Sequence, residues 1–138
     1  MIPNCVLTNG CFDILHYGHI AYLRRCREIA GSSRLVVAVN SDESVRKLKG
    51  PKRPLQSEQH RAECLRALRA VDYVIIFNDE RINKVLRIIA PEIWIKGGDY
   101  NLDTLDQGER QLAEELGIEI RFTGKIPGVS TTDILSKL

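Results

Sequence analysis

His16 and His19 stand three residues apart with Gly18 between them, directly after the segment Thr8-Asn9-Gly10-Cys11-Phe12-Asp13. Near neutral pH an imidazole can act as a cation, a hydrogen-bond donor or a proton carrier. At the start of a helix, backbone N–H groups point outward and attract anions. A histidine pair there has the chemistry to hold a phosphate whose charge changes during a reaction. Two other readings stay open on the residues alone. The pair can cap and pack the first helix, or it can bind a metal with Cys5 or Cys11 as thiolate, although a second spaced ligand pair is missing. Gly10 would permit a tight turn and close backbone approach to a ligand. Asp13 could fix the loop by bonding its own backbone, and Gly18 leaves room beside a phosphate.

Three further segments carry chemistry. Arg46-Lys47-Leu48-Lys49-Gly50-Pro51-Lys52-Arg53 holds five bases in eight residues and no acid. It reads as a loop, either solvated surface or a place that steers a polyphosphate, with Arg61 adding to the same field or simply facing solvent. Lys96-Gly97-Gly98-Asp99-Tyr100 combines a cation, a backbone free of side chains and a hydroxyl acceptor, a weak signal by itself. Gly124-Lys125-Ile126-Pro127-Gly128-Val129-Ser130-Thr131-Thr132 leads a glycine-containing loop into three hydroxyls, a second anion-friendly helix start or an ordinary N-cap at Ser130. Cys11 is either a reactive thiol or a small neutral loop residue.

These segments need a frame. Apolar runs at Cys5–Leu7, Leu35–Val39, Tyr73–Phe77, Ile93–Ile95 and Ile118–Phe122 read as strands, the second and third nearly continuous, as in strands covered on both faces. Between them lie helical patterns. The first, 18–30, has Ile20, Leu23, Cys26, Ile29 and Ala30 on one stripe. The second, 57–70, starts at a Ser57 cap. The third carries Ile82, Val85, Leu86, Ile88 and Ile89 and ends at Pro91. A fourth lies around Leu112 and Leu116, and a short last one over 130–138. Strand–helix alternation predicts an α/β fold, a doubly wound, Rossmann-like, five-stranded parallel sheet in one domain over residues 1–138. Ligands of such sheets bind outside the carboxyl strand ends, where the winding reverses. Every distinctive polar segment here follows a strand.

The totals narrow the function classes. A net charge of +2 is too small to mark a nucleic-acid binder, and the basic segment lacks aromatic residues interleaved for base stacking. No apolar run approaches the length of a membrane span and none resembles a signal peptide, so a cytoplasmic protein is expected. The four cysteines form no Cys-x-x-Cys pair. The absence of Gly-x-x-x-x-Gly-Lys-Ser/Thr and Gly-x-Gly-x-x-Gly disfavours P-loop hydrolysis and hydride transfer.

Asn9-Gly10-x-Phe12-Asp13-x-x-His16-x-Gly18-His19 near the start and Gly128-x-Ser130-Thr131-Thr132 near the end together resemble the cytidylyltransferase-like nucleotidyltransferases, over nearly the whole chain. Val39-Asn40-Ser41-Asp42, Lys49-Gly50-Pro51-x-Arg53-Pro54 and Lys96-Gly97-Gly98-Asp99-Tyr100 look like the subgroup that adenylylates D-glycero-D-manno-heptose 1-phosphate, which occurs alone or as the second half of a fusion with a sugar kinase. Glycerol-3-phosphate cytidylyltransferases are the competing subgroup, and a nucleotide- or RNA-binding module is the non-enzymatic alternative. The resemblance implies His16, His19 and Lys49 as catalytic residues. It implies Asn9, Gly10, Cys11, Phe12, Gly18, Lys96, Gly98, Asp99, Tyr100, Ser130, Thr131 and Thr132 around the nucleotide. Lys49, Arg53, Arg61 and Lys125 would serve the substrate phosphate. Mg2+ would arrive with the nucleoside triphosphate, with no metal ligand among the side chains. The implied partners are ATP and a sugar phosphate, without nucleic acid or membrane, in a homodimer.

Overall fold

The computed structural model describes residues 4–98, 100–124 and 135–138. Its strands are β1 (Cys5–Gly10), β2 (Arg34–Asn40), β3 (Tyr73–Phe77), β4 (Ile93–Lys96) and β5 (Glu119–Phe122). Its helices are α1 (Tyr17–Ala30), α2 (Asp42–Lys49), α3 (Glu58–Arg66), α4 (Asn83–Ile89) and α5 (Gln107–Glu115). The sheet is wholly parallel in the order β3-β2-β1-β4-β5. The chain winds outward from β1 through β2 to β3, then returns to place β4 on the other side of β1. The winding therefore reverses between β1 and β4, whose carboxyl ends, Gly10 and Lys96, lie side by side.

Period-2 alternation sorts the central strands between two faces. Leu7, Val36, Ala38 and Trp94 pack with Val85, Leu86, Ile89, Leu112 and Ala113 of α4 and α5. Val37 and Val39 pack on the other face with Leu23 of α1 and Ala62 and Leu65 of α3, while Val6, Leu35 and Ile95 meet Cys26 and Ala30. Both faces are covered, which explains the near-continuous apolar run of β2.

Sequence reasoning missed one helix. The basic segment expected to be a loop is helical over Arg46–Lys49, the end of α2. The Ser41 hydroxyl caps this helix by accepting from Ser44 N at 3.1 Å, acids fill its first turn and bases its last, as its dipole favours. Gly50 then leaves the helix at φ +100°, so only residues 50–53 of the segment form the turn. Two apolar positions were also misplaced: Ile88 and Leu116, expected inside, are 68% and 42% exposed.

Candidate active site

A cleft of about 660 Å³ opens at the reversal point. One wall is the end of β1 and the loop after it: Asn9, Gly10, Cys11, Phe12 and Asp13. The tight turn occurs at Phe12, at φ +48°, rather than at Gly10. A left-handed conformation costs a residue with a side chain about 1–2 kcal/mol, and here it tucks the phenyl ring inside, 6% exposed. A Cβ at Gly10 would lie 3.0 Å from Phe12 Cε2, so the ring would have to shift to admit a side chain there.

His16 is the N-cap of α1. Its Nδ1 accepts from Gly18 N at 3.1 Å, and His16 N donates to His19 Nδ1 at 3.3 Å. The two rings stack at 4.0 Å between centroids, and His19 also leans on Phe12 at 5.4 Å. Capping and phosphate handling, alternatives in the sequence, are thus compatible. Each Nδ1 is spent as an acceptor, so in the neutral ring the proton resides on Nε2, leaving an Nε2–H donor. Of the pair, His19 lines the cleft directly.

Burial lowers the pKa of both imidazoles. For His19 burial acts first, the His16 and Lys49 charges add to it, an Ile14 carbonyl contact opposes it, and the result is about 4. At neutral pH the pair is uncharged, a pair of donors rather than cations. A depressed folded-state pKa means that the unfolded chain takes up the proton first as pH falls. The stability contributed by the neutral His19 ring is therefore complete above about pH 6.5, the ordinary histidine value, and is lost from there down through about 4. NMR of the histidine ring nitrogens should show His19 as the Nε2–H tautomer with a midpoint near 4 in the free protein, rising when a triphosphate is added. A midpoint near 6.5 in the free protein would contradict this environment.

Cations surround the same space. Lys49, at the end of α2, and Arg53, in the turn after it, line the cleft beside the histidine loop. Lys96, at the end of β4, lies opposite, with Nζ 4.5 Å from the Tyr100 ring centroid and 5.6 Å from that of Trp94. Burial lowers its pKa, opposed by Glu109 and reinforced by Arg81. Trp94 Nε1 donates to Asn9 Oδ1 at 3.0 Å, which fixes that amide and turns its NH₂ group free for other partners. Gly97 is required by packing rather than by a ligand: its Cβ would fall 2.5 Å from Tyr22 Cε1. The Tyr22 ring cannot yield easily, because its hydroxyl is held by Thr8 Oγ1 at 2.6 Å and donates to Ile95 O at 3.3 Å.

Several expectations need correction. Arg61 is not on the cleft; its side chain is fully buried and paired with Asp42 at 2.8 Å. Its guanidinium also donates to the carbonyls of Cys11, Asn40 and Gln56 at 2.8, 2.7 and 2.9 Å. Each of its three nitrogens is engaged by a backbone carbonyl or by Asp42, so Arg61 holds the cleft wall together and is not available to a substrate phosphate. Asp13 does not bond its own loop; it accepts from Leu55 N, Gln56 N and Arg53 Nε. Burial pushes its carboxyl upward, but those donors outweigh it and leave the pKa below the usual range. Burial raises the Cys11 thiol above its ordinary pKa despite Lys49 and Arg61 nearby, so it stands in the cleft as a neutral thiol.

The structure thus brings together Asn9, Gly10, Cys11, Phe12, His19, Lys49, Arg53, Lys96 and Tyr100 around one space. His16 and Gly18 belong to the adjoining helix start, and Gly98 follows at φ +69°. Asp99, Lys125, Ser130, Thr131 and Thr132 lie outside the described residues. Sequence reasoning missed Tyr22, Asn40, Glu80, Arg81, Thr104, Asp106 and Glu109, which also line the cleft. Among the described residues, no three His, Cys, Asp or Glu side chains converge in a way that would hold a metal.

Comparison with known proteins agrees with this fold. A family model described as cytidylyltransferase-like matches residues 7–137. Bifunctional protein HldE of Syntrophotalea carbinolica is 42% identical over 133 residues, which is 96% of this chain and 26% of that protein. HldE of Chromohalobacter salexigens is 44% identical, again over 96% of this chain and 27% of its own length. The chain therefore spans about a quarter of the length of these curated relatives. A lipopolysaccharide core biosynthesis protein from Thermoplasma volcanium superposes with a TM-score of 0.70 at 31% identity, covering 91% of this chain and 98% of the other.

Proposed function

The chain belongs to the cytidylyltransferase-like family and is a nucleotidyltransferase, and from that premise we propose that it transfers AMP from ATP to a sugar 1-phosphate. D-glycero-D-manno-heptose 1-phosphate is the acceptor of this reading, and an ADP-sugar and pyrophosphate are its products. The observation that carries it is the cleft itself. His19, at the start of α1 with its neutral Nε2–H donor, faces the same space as Lys49, Arg53 and Lys96, and His16 stacks directly behind it. The two HldE relatives and the structural neighbour described as a lipopolysaccharide core biosynthesis protein support a sugar acceptor.

In this reaction an acceptor phosphate oxygen attacks the α-phosphorus of ATP in line. The new P–O bond forms as the bond to the β-phosphate bridge breaks, and pyrophosphate leaves with the electron pair. No proton must move to complete the exchange, which suits rings held neutral and fixed by their Nδ1 hydrogen bonds. His16 and His19 donate to the α- and β-phosphates, where charge gathers in the transition state, and this preorganised donation is the main catalytic device. Lys49 draws the two anions together, a positioning effect. Lys96, Asp99 and Tyr100 face the nucleoside and Ser130, Thr131 and Thr132 the outer phosphates in the same reading, with Lys125 serving the substrate phosphate. Mg2+ enters as part of the triphosphate substrate and helps to neutralise it.

A matrix of ATP, CTP, GTP and UTP against heptose 1-phosphate, other sugar 1-phosphates and glycerol 3-phosphate, reading pyrophosphate, tests the proposal. Release confined to ATP with a sugar 1-phosphate is expected. Preference for CTP with glycerol 3-phosphate would replace the substrates and keep the chemistry. The homodimer and cytoplasmic setting implied by the resemblance belong to the same reading; among the described residues no helix is long and apolar enough to cross a membrane.

A further inference from the structure

Arg53 is divided between two tasks. Its Nε donates to Asp13 Oδ2 at 2.8 Å, and its side chain is 18% exposed on the cleft wall. A guanidinium carries its Nε–H on one edge and its two terminal nitrogens beyond it, in a rigid fork. With Nε tied to Asp13, the terminal nitrogens have no hydrogen-bond partner among the described residues. Asp13 is itself 2% exposed and is held by Leu55 N at 2.8 Å and Gln56 N at 3.0 Å. One buried carboxylate therefore joins the histidine loop to the turn after α2 and sets the angle of the one arginine that turn presents to the cleft.

Resting on the adenylyl-transfer reading above, we propose that Asp13 is a positioning residue that aims the Arg53 fork at the acceptor's phosphate. The assignment to the acceptor follows from how the cleft divides. The α1 N-terminus and its imidazoles serve the nucleotide phosphates, and Lys96 stands on the far side over Trp94 and Tyr100. Arg53 is left on the wall beside the histidine loop, where the attacking oxygen must enter. A phosphate monoester offers two unbridged oxygens to a fork, the bidentate match that a lysine cannot reproduce.

The test is steady-state kinetics with ATP and heptose 1-phosphate varied in turn, on wild type, Arg53→Gln, Arg53→Lys, Asp13→Asn and Asp13→Asn/Arg53→Gln. Asn at position 13 keeps the shape but turns an NH₂ group toward one of the three donors. Arg53→Gln and Asp13→Asn should each raise the acceptor KM by about tenfold or more, the worth of a charge-assisted hydrogen bond, while the ATP KM stays within about threefold. The double variant should be no worse than Arg53→Gln alone, because Asp13 acts through Arg53. Arg53→Lys should fall with Arg53→Gln, since it keeps the charge and loses the fork; this comparison holds even if Asp13→Asn proves too unstable to assay. Wild-type acceptor KM in Arg53→Lys, or equal losses for both substrates with additive effects, would overturn the proposal. Failure of the wild-type enzyme to release pyrophosphate would instead overturn the reading on which it rests.

Discussion

Replacing His19 by alanine is expected to lower turnover by about 10²–10³-fold, the usual cost of losing one preorganised donor to a charge-gathering oxygen. Two effects are mixed in that variant. His19 also accepts from His16 N at 3.3 Å, one half of a reciprocal cap, and cap losses cost about 0.5–2 kcal/mol of stability. His19→Glu separates them. A glutamate at the third helical position suits a capping box and the positive helix start, so the melting temperature should recover relative to alanine. The carboxylate has no proton to donate and repels phosphate, so turnover should stay as low as in alanine or lower. Pyrophosphate release and thermal melting on the same samples check both halves. Recovery of turnover along with stability would show that His19 matters only as a cap.

Arg61→Met should be the most destabilising single change on this wall, by about 3 kcal/mol, because it removes the fully buried member of an ion pair together with its hydrogen bonds to three carbonyls. Asp42 would lose its partner, and the carbonyls of Cys11, Asn40 and Gln56 would lose their donor, that of Asn40 in a fully buried hydrogen bond. Arg61→Lys should recover little, since one ammonium cannot span four acceptors that now surround a planar fork. Urea denaturation gives the size of the loss. A cost below about 1 kcal/mol, the ordinary range for a surface arginine, would mean that Arg61 is not the buried tie found here.

The contrast between these two residues shows what the amino-acid order reveals and what it hides. The strands were legible because buried parallel strands are written in continuous apolar residues, and Leu35–Val39 sits wholly inside. His19, Lys49, Arg53 and Lys96 were legible because each ends a strand or lies in the segment after one, and the parallel topology delivers such segments to one edge. The helix α2 was not, because it buries only Ser44 and Val45 and so shows no apolar stripe. Its signal was in the ends: Ser41 as cap, Asp42 and Glu43 in the first turn, bases in the last. Arg61 reads as an ordinary helix arginine, and nothing local tells that α3 turns it toward three carbonyls from separate segments. Glu80 and Arg81 come from the β3–α4 connection, Thr104 and Asp106 from the β4–α5 connection and Glu109 from the first turn of α5, and they meet at the cleft only because β4 crosses back beside β1.

Nucleotidyl transfer breaks the bond between the α-phosphorus and the β-phosphate bridge and carries the nucleotide to the acceptor. ³¹P NMR of the enzyme mixed with ATP, Mg2+ and D-glycero-D-manno-heptose 1-phosphate follows both at once. Free pyrophosphate should appear together with the paired resonances of a new sugar-linked diphosphate, in equal amounts, with no inorganic phosphate. Inorganic phosphate and ADP in their place, showing cleavage between the β- and γ-phosphates, would contradict nucleotidyl transfer at this cleft.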